Sequence, residues 1–278
     1  MAQKFLVTYG QRFHFEETAL HNTLYAPHIH PHFELYICLE EIERLAHING
    51  NTIDIHGPCA ILYAPYSLHA NAAKKNTMYI RHSLNFGTEF LEQYSQSLND
   101  ISIIHENNSS IFMLDETRQQ EIKQVLSLFS YSPRDSSRQE LLTVYLLRLL
   151  QHYVKRDSNF QQISNSEALS VPDILKYIVK HIGEPLTIPK IADQFFIGTD
   201  KLNKDFKKYT GMPVHQFIIN VKITIAKHEL ERKEKSIGQI AKELGFTNEI
   251  YFYPFFRKHT GYTPLQYRKL NKQAEYLP

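Results

Sequence analysis

The spacing of apolar residues changes along the chain and divides it into segments. Up to about Phe90, short runs rich in Ile, Tyr, Phe and Thr alternate with turn signals at 49–51, 57–58 and 64–65. Runs of β-branched and aromatic residues bounded by Gly, Pro and Asn are typical of strands and hairpins. The pattern therefore predicts a β-rich N-terminal domain, which we place at residues 1–110.

Two helices are predicted after the sheet. Within 115–130 and 136–153, apolar residues recur three or four positions apart, which is the period of one helical face. The longest apolar run, 141–150, is too short to cross a bilayer, which needs about 20 residues. The apolar face of the second helix comprises Tyr145, Leu146, Leu149 and Leu150. This face either covers the sheet or pairs with a second copy. We favour pairing with a second copy, and predict that residues 111–154 are the helical segment through which the protein forms a homodimer.

Charge is unevenly distributed around a polar joint. Residues 155–170 have no apolar period and many Asp, Ser and Asn residues, so we predict a linker there. The net charge of the chain is only +2. From Val171 onward, however, 18 Lys and Arg residues face 11 Asp and Glu residues, a net charge of +7. A basic module at residues 171–278 suits contact with phosphates.

The basic module contains one sequence unit twice. Residues 206–211 read FKKYTG, and fifty positions later 256–261 read FRKHTG; upstream, 191–192 and 240–241 both read IA. Each copy has an apolar-periodic helix, a short turn, and a second helix that ends in basic residues and Thr-Gly. The repeat therefore predicts two helix-turn-helix motifs. Cationic faces are often plain solvated surface, but their recurrence with the same turn and cap favours a binding role.

Helix boundaries follow from the caps and turns. Thr187 is the predicted cap of the first helix, and a second helix is predicted from Thr199 to Tyr209. The second copy runs from Ser236 and restarts with Thr247 as a cap. Between the copies, residues 213–233 predict a connecting helix that spans about 30 Å. This length is close to the roughly 34 Å between successive major-groove windows, so one chain is expected to reach two neighbouring grooves.

These motifs resemble the signature of the AraC/XylS family of transcription regulators. The similarity covers residues 186–269 and includes IAxxLGF at 240–246, YF at 251–252, FRK at 256–258, TG at 260–261 and TPxxYR at 263–268. It implies contact with promoter DNA. By position it assigns base contacts to residues 200, 203 and 204 in the first motif and to 249, 250, 253 and 254 in the second. The full set of predicted DNA-binding residues is Thr199, Asp200, Lys201, Asn203, Lys204, Lys207, Lys208, Asn248, Glu249, Ile250, Tyr253, Arg257 and Lys258.

Two positions depart from the family pattern. Pro254 stands where relatives usually carry a polar or basic residue, and proline inside a helix costs about 3 kcal/mol. We therefore expect the helix to bend or tighten near Ile250. We also expect the first motif to carry most sequence recognition, while Arg257 and Lys258 grip phosphates. Phe196, in the first turn, replaces a Gly that is common there.

Alternating polar and apolar residues between positions 28 and 38 predict one strand with a polar face. Ile29, Phe33 and Leu35 point to the opposite face. Such a strand suits a barrel with a lined cavity. The polar face, extended by Cys38, and one further histidine give the predicted effector-binding residues: His28, His30, His32, Glu34, Tyr36 and His69.

The same spacing also resembles the metal motifs of cupins, which are small β-barrels. Imidazole nitrogens and a carboxylate suit Zn, Ni or Fe. AraC-like regulators, however, commonly carry cupin-like effector domains that keep a similar pattern without metal, and Tyr66 replaces the Gly that usually precedes the last His. We therefore predict no metal cofactor. The alternative is a transition metal at His28, His30, Glu34 and His69.

Taken together, the sequence predicts an α+β multidomain protein. A cupin-like β-barrel and helices precede an all-α domain with two helix-turn-helix motifs. The predicted function is transcription regulation, without enzymatic activity, controlled by a small-molecule effector; the family and the polar lining suggest a sugar. The alternative is a metal-dependent cupin enzyme or metal sensor fused to a DNA-binding domain. Cys38 and Cys59 have no metal or disulfide spacing, and no signal peptide is evident, so we expect a cytoplasmic protein. Expected partners are promoter DNA, the effector, RNA polymerase and a second copy.

Overall fold

The computed structural model describes residues 6–7, 13–21, 28–74, 77–98, 101–105, 108–130, 136–154, 160–164, 171–232 and 234–274. The chain divides into two compact units, residues 1–169 and 170–278. The strands are β1 (Leu6–Val7), β2 (Phe13–His21), β3 (His28–Ile29), β4 (Phe33–Cys38), β5 (Glu43–Ile48), β6 (Asn51–His56), β7 (Cys59–Tyr63), β8 (His69–Ala73), β9 (Met78–Phe86), β10 (Asn108–Met113) and β11 (Phe160–Ser164). The helices are α1 (Thr88–Gln93), α2 (Ser95–Leu98), α3 (Glu116–Ser130), α4 (Ser136–Val154), α5 (Val171–Lys180), α6 (Ile188–Gln194), α7 (Thr199–Thr210), α8 (Val214–Arg232), α9 (Ile237–Glu243), α10 (Glu249–Thr260) and α11 (Pro264–Ala274).

The strands of the N-terminal unit form two sheets. One has five strands in the order β1-β3-β8-β5-β6, and the other has six in the order β11-β10-β7-β4-β9-β2. β5 and β6 form a hairpin whose turn residues, Asn49 and Gly50, have φ angles of 51° and 84°. Positive φ at both positions is what a two-residue hairpin turn requires. The predicted β-rich domain and its hairpin are therefore confirmed. Among the described residues, no helix has the length and apolar character needed to cross a membrane.

Strand β4 has both faces covered, because all six of its residues are buried. Phe33, Leu35 and Ile37 pack into a core that includes residues of α1, α3 and α4. Tyr36 and Cys38 lie in a second core, which contains residues of both sheets. The predicted alternation along this strand is confirmed, and it separates a sheet–helix layer from a sheet–sheet layer.

The prediction of one strand from position 28 to 38 is wrong. His28 and Ile29 belong to the five-stranded sheet, where His28 lies opposite His69, whereas β4 belongs to the six-stranded sheet. Residues 30–32 connect the two strands, and the carbonyl of His30 accepts a hydrogen bond from the Tyr66 amide at 2.8 Å. The short turn takes the chain from one sheet to the other. An alternating pattern cannot reveal it, because the polar residues still point inward on both sides of the turn.

Helices α3 and α4 lie where the apolar spacing predicts them. The prediction that this apolar face pairs with a second copy is wrong for three of its four residues. Leu146, Leu149 and Leu150 instead cover the sheet, because they are buried in the core beneath the six-stranded sheet. The exposed apolar side chains of α4 are instead Leu141 and Tyr145, which keep 59% and 51% of their surface accessible. The two lie four positions apart on one face of the helix.

The predicted linker contains a strand. β11 pairs with β10 in antiparallel register from Asn108–Ser164 to Phe112–Phe160, and the Phe112 and Phe160 rings lie 5.3 Å apart. Ile163 is buried in the sheet–sheet core. Two apolar residues in a polar stretch are too few to show a period, so the strand depends on its partner β10. Residues 155–159 and 165–170 of the predicted linker lie outside the described residues.

The C-terminal unit contains the two predicted motifs, α6–α7 and α9–α10, and the connecting helix α8. The repeat extends to side-chain packing. The Phe206 and Phe217 rings meet edge to face at 5.4 Å, and fifty positions later Phe256 and Tyr267 do so at 5.6 Å. The C-terminal half of α8 contributes Ile223, Ala226 and Leu230 to the core of the second motif. One helix therefore supports both copies.

The helix ends repeat as well. Thr210 and Thr260 each donate a hydroxyl hydrogen bond to the carbonyl of the Phe four positions earlier, at 2.8 Å. The next residues, Gly211 and Gly261, take left-handed φ angles of 77° and 82°, which glycine adopts without a steric penalty.

The N-terminal caps were predicted with one error. Thr187 accepts a hydrogen bond from the Lys190 amide, and Ser236 forms a capping box with Gln239. The predicted cap Thr247 is wrong, because Asn248 caps α10 by accepting from the Ile250 amide at 3.0 Å. Thr and Asn are both good caps, and the turn geometry selects the second of the two.

Candidate functional site

Four polar side chains converge where β3, β4 and β8 meet. His28 lies on β3, His30 in the turn that follows, Glu34 on β4 and His69 on β8, and one ligating atom from each lies within 4.8 Å of the others. The Nε2 atoms of His28, His30 and His69 are 3.8, 3.0 and 3.2 Å from Oε2 of Glu34. The structure thus brings together four of the six residues predicted to bind an effector.

His32 has a different environment from the other three histidines. Its ring stacks on that of His30, with centroids 4.1 Å apart, and its Nε2 lies 3.0 Å from Oδ1 of Asn85. Asn85 in turn donates to the Ser83 hydroxyl, which donates to Oε1 of Glu34 at 2.8 Å. His32 therefore supports the site from behind instead of lining it.

Sequence reasoning missed the supporting residues Ser83 and Asn85. Both lie on β9, which pairs with β4 so that Asn85 is opposite Glu34. No local signal identifies them, because the two strands are about fifty positions apart in the chain and only sheet pairing brings them together.

Backbone carbonyls fix the orientation of two imidazole rings. Nδ1 of His30 lies 2.8 Å from the carbonyl oxygen of His32, and Nδ1 of His69 lies 2.9 Å from that of Ser67. A carbonyl oxygen only accepts hydrogen bonds, so each Nδ1 carries the hydrogen. The Nε2 atoms of both rings are thereby aimed at Glu34.

Burial shifts the titration of the cluster. Loss of solvation lowers the pKa of His30 to about 4 and that of His32 to about 3, and it also lowers the pKa of His69. Burial alone would raise the pKa of Glu34, but contacts with the three surrounding histidines outweigh it and hold that pKa well below its usual range. Burial therefore favours the uncharged forms of His30, His32 and His69, whereas the contacts of Glu34 favour its ionised form.

The cavity beside this cluster is small. It has a volume of about 10 Å³ and is lined by His28, Glu34, Tyr36, His69, Asn71, Tyr79 and Arg81. A space of this size holds roughly one water molecule. Any larger occupant requires the side chains around the cavity to move apart.

Tyr36 connects the cavity to a buried arginine. Its hydroxyl accepts a hydrogen bond from Nη1 of Arg44 at 3.0 Å, and the guanidinium lies 5.9 Å from the centres of both the Tyr36 and Tyr79 rings. Arg44 is only 1% exposed. Sequence reasoning missed Arg44, although on a strand its spacing of two and four positions from Ala46 and Ile48 indicates that it shares their inward face.

The second candidate site consists of α7 and α10. The exposure of their residues is the same, position by position, from 201–208 to 251–258. In each helix two apolar anchors four positions apart are fully buried, Leu202 and Phe206 in α7 and Phe252 and Phe256 in α10. Asn203 and Tyr253 are half-buried, and the other predicted DNA-binding residues are exposed: Thr199, Asp200, Lys201, Lys204, Lys207, Lys208, Asn248, Glu249, Ile250, Arg257 and Lys258.

Some of these side chains have local partners. Lys201 forms an ion pair with Asp205 at 2.7 Å, and the Asn203 amide donates to the Thr199 carbonyl at 3.1 Å. Both contacts are exposed, and such contacts contribute little to stability. These groups can therefore exchange their local partners for phosphates or base edges at low cost.

Helix α10 continues through Pro254, from Glu249 to Thr260. Proline has no amide hydrogen, so it cannot donate to the carbonyl of Ile250. Ile250 and Tyr251 keep 73% and 62% of their surface exposed. The reading face of this helix is thus more apolar than that of α7, and the expected bend stays a prediction.

The turns of the two motifs share a left-handed residue. Phe196 has a φ of 54° and is 95% exposed, and Gly245, at the matching place in the second motif, has a φ of 78°. A Cβ on Gly245 would come within 2.7 Å of the Gly183 carbonyl oxygen, so only glycine fits there. The exposure of Phe196 explains how the first turn accommodates a large side chain, at the cost of a strained backbone.

A two-sheet unit with an enclosed polar pocket, followed by a unit with two helix-turn-helix motifs, defines a class of proteins that combine a ligand-binding domain with a DNA-binding domain. Comparison with known families agrees with this class. A family model described as an AraC-like ligand binding domain matches residues 13–150, and one described as a helix-turn-helix domain matches residues 191–270. The chain belongs to the AraC family.

Individual relatives share part of the chain. The bifunctional transcriptional activator/DNA repair enzyme AdaA of Bacillus subtilis (strain 168) is 35% identical over 102 residues, 37% of this chain and 48% of that protein. The HTH-type transcriptional activator RhaR of Escherichia coli (strain K12) is 29% identical over 136 residues, 49% of this chain and 48% of RhaR. The chain thus spans about half the length of these two relatives. A structure of fatty acid-bound ToxT from Vibrio cholerae covers 92% of this chain and 94% of ToxT, with a TM-score of 0.47 and 11% identity.

Proposed function

We propose that this protein is a sequence-specific DNA-binding transcription regulator and that a ligand bound in the N-terminal pocket controls it. The observation that supports DNA binding most directly is the matched exposure of α7 and α10. Each helix buries two apolar anchors; α7 presents amide, carboxylate and cationic groups beside them, and α10 presents Glu249, Arg257 and Lys258 together with the exposed Ile250. This mixture serves base edges and phosphates.

The two helix-turn-helix motifs are proposed to have different roles in DNA binding. Asn203 and Lys204 on α7 supply the hydrogen-bonding groups for base recognition, whereas Ile250 on α10 is suited to apolar contact with a thymine methyl group. Arg257 and Lys258 at the end of α10 bind phosphates. Sequence discrimination is therefore expected mainly from α7.

DNA binding is tested with a duplex that the wild-type protein selects from a random pool. Lys204→Ala is expected to weaken binding of that duplex by roughly 1 to 3 kcal/mol in a gel-shift titration. Lys123→Ala, which removes an exposed lysine from α3 in the other unit, is the matched control and should bind as the wild type does. Failure to enrich any sequence, or equal affinity of the Lys204 and Lys123 variants, would contradict the proposal.

The effector is proposed to enter the pocket lined by His28, Glu34, Tyr36 and His69. To regulate DNA binding, it must bind one arrangement of the protein more tightly than another. A sugar is consistent with the polar and aromatic lining but requires the cavity to widen, since it now measures about 10 Å³. A thermal-shift screen of sugars and small metabolites is the test, because a ligand at 100 times its Kd adds about 2.7 kcal/mol to the free energy of unfolding.

A second copy is proposed to pair through the exposed face of α4. Leu141 and Tyr145 form an apolar surface there, and two DNA-binding units on one assembly gain affinity by linkage. Leu141→Glu combined with Tyr145→Glu is expected to convert a dimer into a folded monomer, measured as mass in solution. Leu146 and Leu150 are unsuitable for this test because both are fully buried. A wild-type protein that is already monomeric would contradict the dimer.

Promoter DNA and RNA polymerase are the proposed macromolecular partners, and the cytoplasm is the proposed location. The relatives that carry the word activator in their names suggest activation of transcription by analogy alone. The competing function, a metal-dependent cupin enzyme or metal sensor joined to a DNA-binding unit, has one observation in its favour, which is the convergence of His28, His30, Glu34 and His69.

A further inference from the structure

Arg44 carries a buried positive charge with which no carboxylate of the described residues forms an ion pair. A guanidinium is effectively always charged, and this one is enclosed by the protein. Nη1 donates to the Tyr36 hydroxyl at 3.0 Å, and Nη2 donates to the Glu40 carbonyl at 3.5 Å. In the part of the chain that the structure describes, Nε is buried without a hydrogen-bond partner. The contacts of Arg44 are thus neutral groups.

The carboxylate of Glu40 is engaged elsewhere. Its Oε1 accepts from the Ile80 amide at 3.0 Å, and its Oε2 accepts from the Cys38 thiol at 3.0 Å. The faces of two tyrosine rings, with centres 5.9 Å from the guanidinium, compensate part of the charge. A buried charge without a partner of opposite sign is costly, so this arrangement is one negative charge short.

A second guanidinium lines the cavity itself. Arg81 is buried and is one of the residues that surround the cavity. Its Nη2 lies 3.6 Å from Oε2 of Glu16, whose side chain is 47% exposed and whose Oε1 accepts from the Thr18 hydroxyl. A long ion pair with an exposed carboxylate contributes little, so Arg81 can turn towards a ligand at low cost.

Acidic and basic groups lie at opposite ends of the cavity. Glu34 and Tyr36 both line it from β4, and two residues along a strand span about 7 Å. On β9, Ser83 donates to Glu34 at 2.8 Å, whereas Arg81 and Tyr79 lie two and four positions away on the same inward face. The cavity therefore has a hydrogen-bond-accepting end at Glu34 and a cationic end at Arg81.

The cationic end also has neutral donors. The Tyr36 oxygen accepts from Arg44, so its own hydrogen remains to donate to Tyr79 or into the cavity. Asn71 accepts from the Tyr63 hydroxyl through Oδ1 at 3.0 Å, which leaves the hydrogens of its Nδ2 to donate. Two guanidinium ions with a hydroxyl and an amide are the groups that bind a carboxylate.

We propose that the effector is a small hydroxy acid. Its carboxylate binds Arg81 and the Tyr36 hydroxyl, which Arg44 polarises from behind. Its hydroxyl groups donate to Glu34 and to the Nε2 lone pair of His69, whose Nδ1 hydrogen is used on a carbonyl. The hydroxy acid is the ligand of the proposed regulator, so the assignment rests on the proposed function.

Charge distinguishes this class from neutral sugars and amino acids. Arg44 and Arg81 bring two positive charges, and Glu34, whose contacts favour the ionised form, brings one negative charge. One positive charge is left, and a monoanion removes it, whereas a neutral sugar or a zwitterion does not. The cavity of about 10 Å³ has to widen for any of these ligands, which favours the smaller acids.

The test measures the melting temperature of the full chain with six probes at equal concentration and ionic strength. The acids are glycolate, lactate and glucuronate, and their uncharged counterparts are glycolamide, lactamide and glucose. At least one acid is expected to raise the melting temperature, and its counterpart to leave it unchanged, because only the acid supplies the missing negative charge.

Variants locate the binding, with the Kd measured by calorimetry. Arg81→Gln should raise the Kd of that acid about tenfold or more, because a hydrogen bond to a charged group is lost. Tyr36→Phe removes one hydroxyl, keeps the ring and should also raise the Kd. It replaces Arg81→Gln if that variant does not fold. Arg138→Gln, which changes an exposed arginine of α4, is the matched control and should bind as the wild type does.

Three results overturn the hydroxy acid: no acid shifts the melting temperature, an uncharged counterpart shifts it as much as its acid, or the Arg81 and Arg138 variants bind the acid equally. The comparison of acids with counterparts uses wild-type protein and stands whatever the variants do. Gel shifts report separately on the proposed function. A neutral probe that binds and changes DNA affinity keeps ligand control but removes the hydroxy acid. An acid that binds without changing DNA affinity supports the ligand class and contradicts the regulation.

Discussion

The candidate groups are buried in the N-terminal unit and exposed in the C-terminal unit. In the N-terminal unit the candidate groups are enclosed, with His30, Glu34 and His69 only 2%, 5% and 1% exposed. In the C-terminal unit the candidates on α7 and α10 are exposed, while the apolar anchors beneath them, such as Phe206 and Phe256, are fully buried. The buried groups of the N-terminal unit suit a small ligand that loses its hydration shell on binding. The exposed groups of the C-terminal unit suit a large partner that binds at the surface.

This difference determines what a substitution does. A buried polar group depends on its neighbours for hydrogen bonds and charge compensation, so changing it alters stability and function together. An exposed group on a rigid helix can be changed with little effect on folding. Function and stability are therefore separable in the C-terminal unit and coupled in the N-terminal unit.

The largest expected effect on stability comes from removing a buried aromatic anchor of the C-terminal unit. Phe206→Ala and Phe256→Ala should each lower the free energy of unfolding by about 3 to 5 kcal/mol, because each leaves a cavity in a repeated core. Urea denaturation of the full chain, followed through the helical signal, measures this loss. Lys207→Ala, on the exposed face of α7, is the control and should stay within about 0.5 kcal/mol of the wild type. A large loss of stability in Lys207→Ala would contradict the contrast between buried anchors and exposed residues.

The next largest effect is the pH dependence of stability, which buried histidines give to the N-terminal unit. The pKa of His30 falls from 6.5 to about 4 because of burial, so between these values the unfolded chain binds a proton that the folded chain does not. The free energy of unfolding of the metal-free N-terminal unit should therefore decrease as the pH falls from about 6.5 towards 4, by roughly 3 kcal/mol for His30 alone. His69 acts in the same direction, since burial lowers its pKa too.

Denaturant titrations of EDTA-treated protein at several pH values measure this dependence. His30→Gln should flatten it, because the substituted amide does not titrate. His56→Gln, which changes an exposed histidine, should leave it as in the wild type. An unchanged slope in the His30 variant would show that the burial of this ring does not control the acid response.

The smallest effect concerns the helix caps. Ser236→Ala removes the side-chain oxygen that accepts from the Gln239 amide and should cost about 1 kcal/mol. Ser236→Gly should cost only a few tenths, since glycine is tolerated at this position. Thermal melting of the two variants ranks them, and a Ser236→Ala variant that melts as the wild type does would mean that the capping box adds nothing to α9.

Periodic and repeated features were predictable because they are local. The spacing of Leu202 and Phe206, and its recurrence at Phe252 and Phe256, indicates the buried side of each helix before any tertiary contact is known. The alternation along Phe33–Cys38 indicates the two faces of β4 in the same way. Each of these signals lies within a few residues of the chain.

Features that depend on distant partners were missed or wrong. β11 owes its existence to β10, about fifty residues earlier, and Ser83 and Asn85 reach Glu34 only through strand pairing. The face of α4 was misassigned because periodicity shows which residues are apolar but not which of them the sheet covers. Leu146 and Leu141 are equally apolar, yet one is fully buried and the other is 59% exposed.

The amino-acid sequence by itself determined the order of the two units, the duplicated motif and the list of histidines, because caps, periods and repeats act over one or two helical turns. The tertiary structure decided that His28 enters the pocket from a different sheet than Glu34, with His30 in the turn between the two strands, and that the Nε2 atoms of His30 and His69 both lie against one carboxylate oxygen. Those facts depend on how two sheets face each other, and long-range packing alone fixes that geometry.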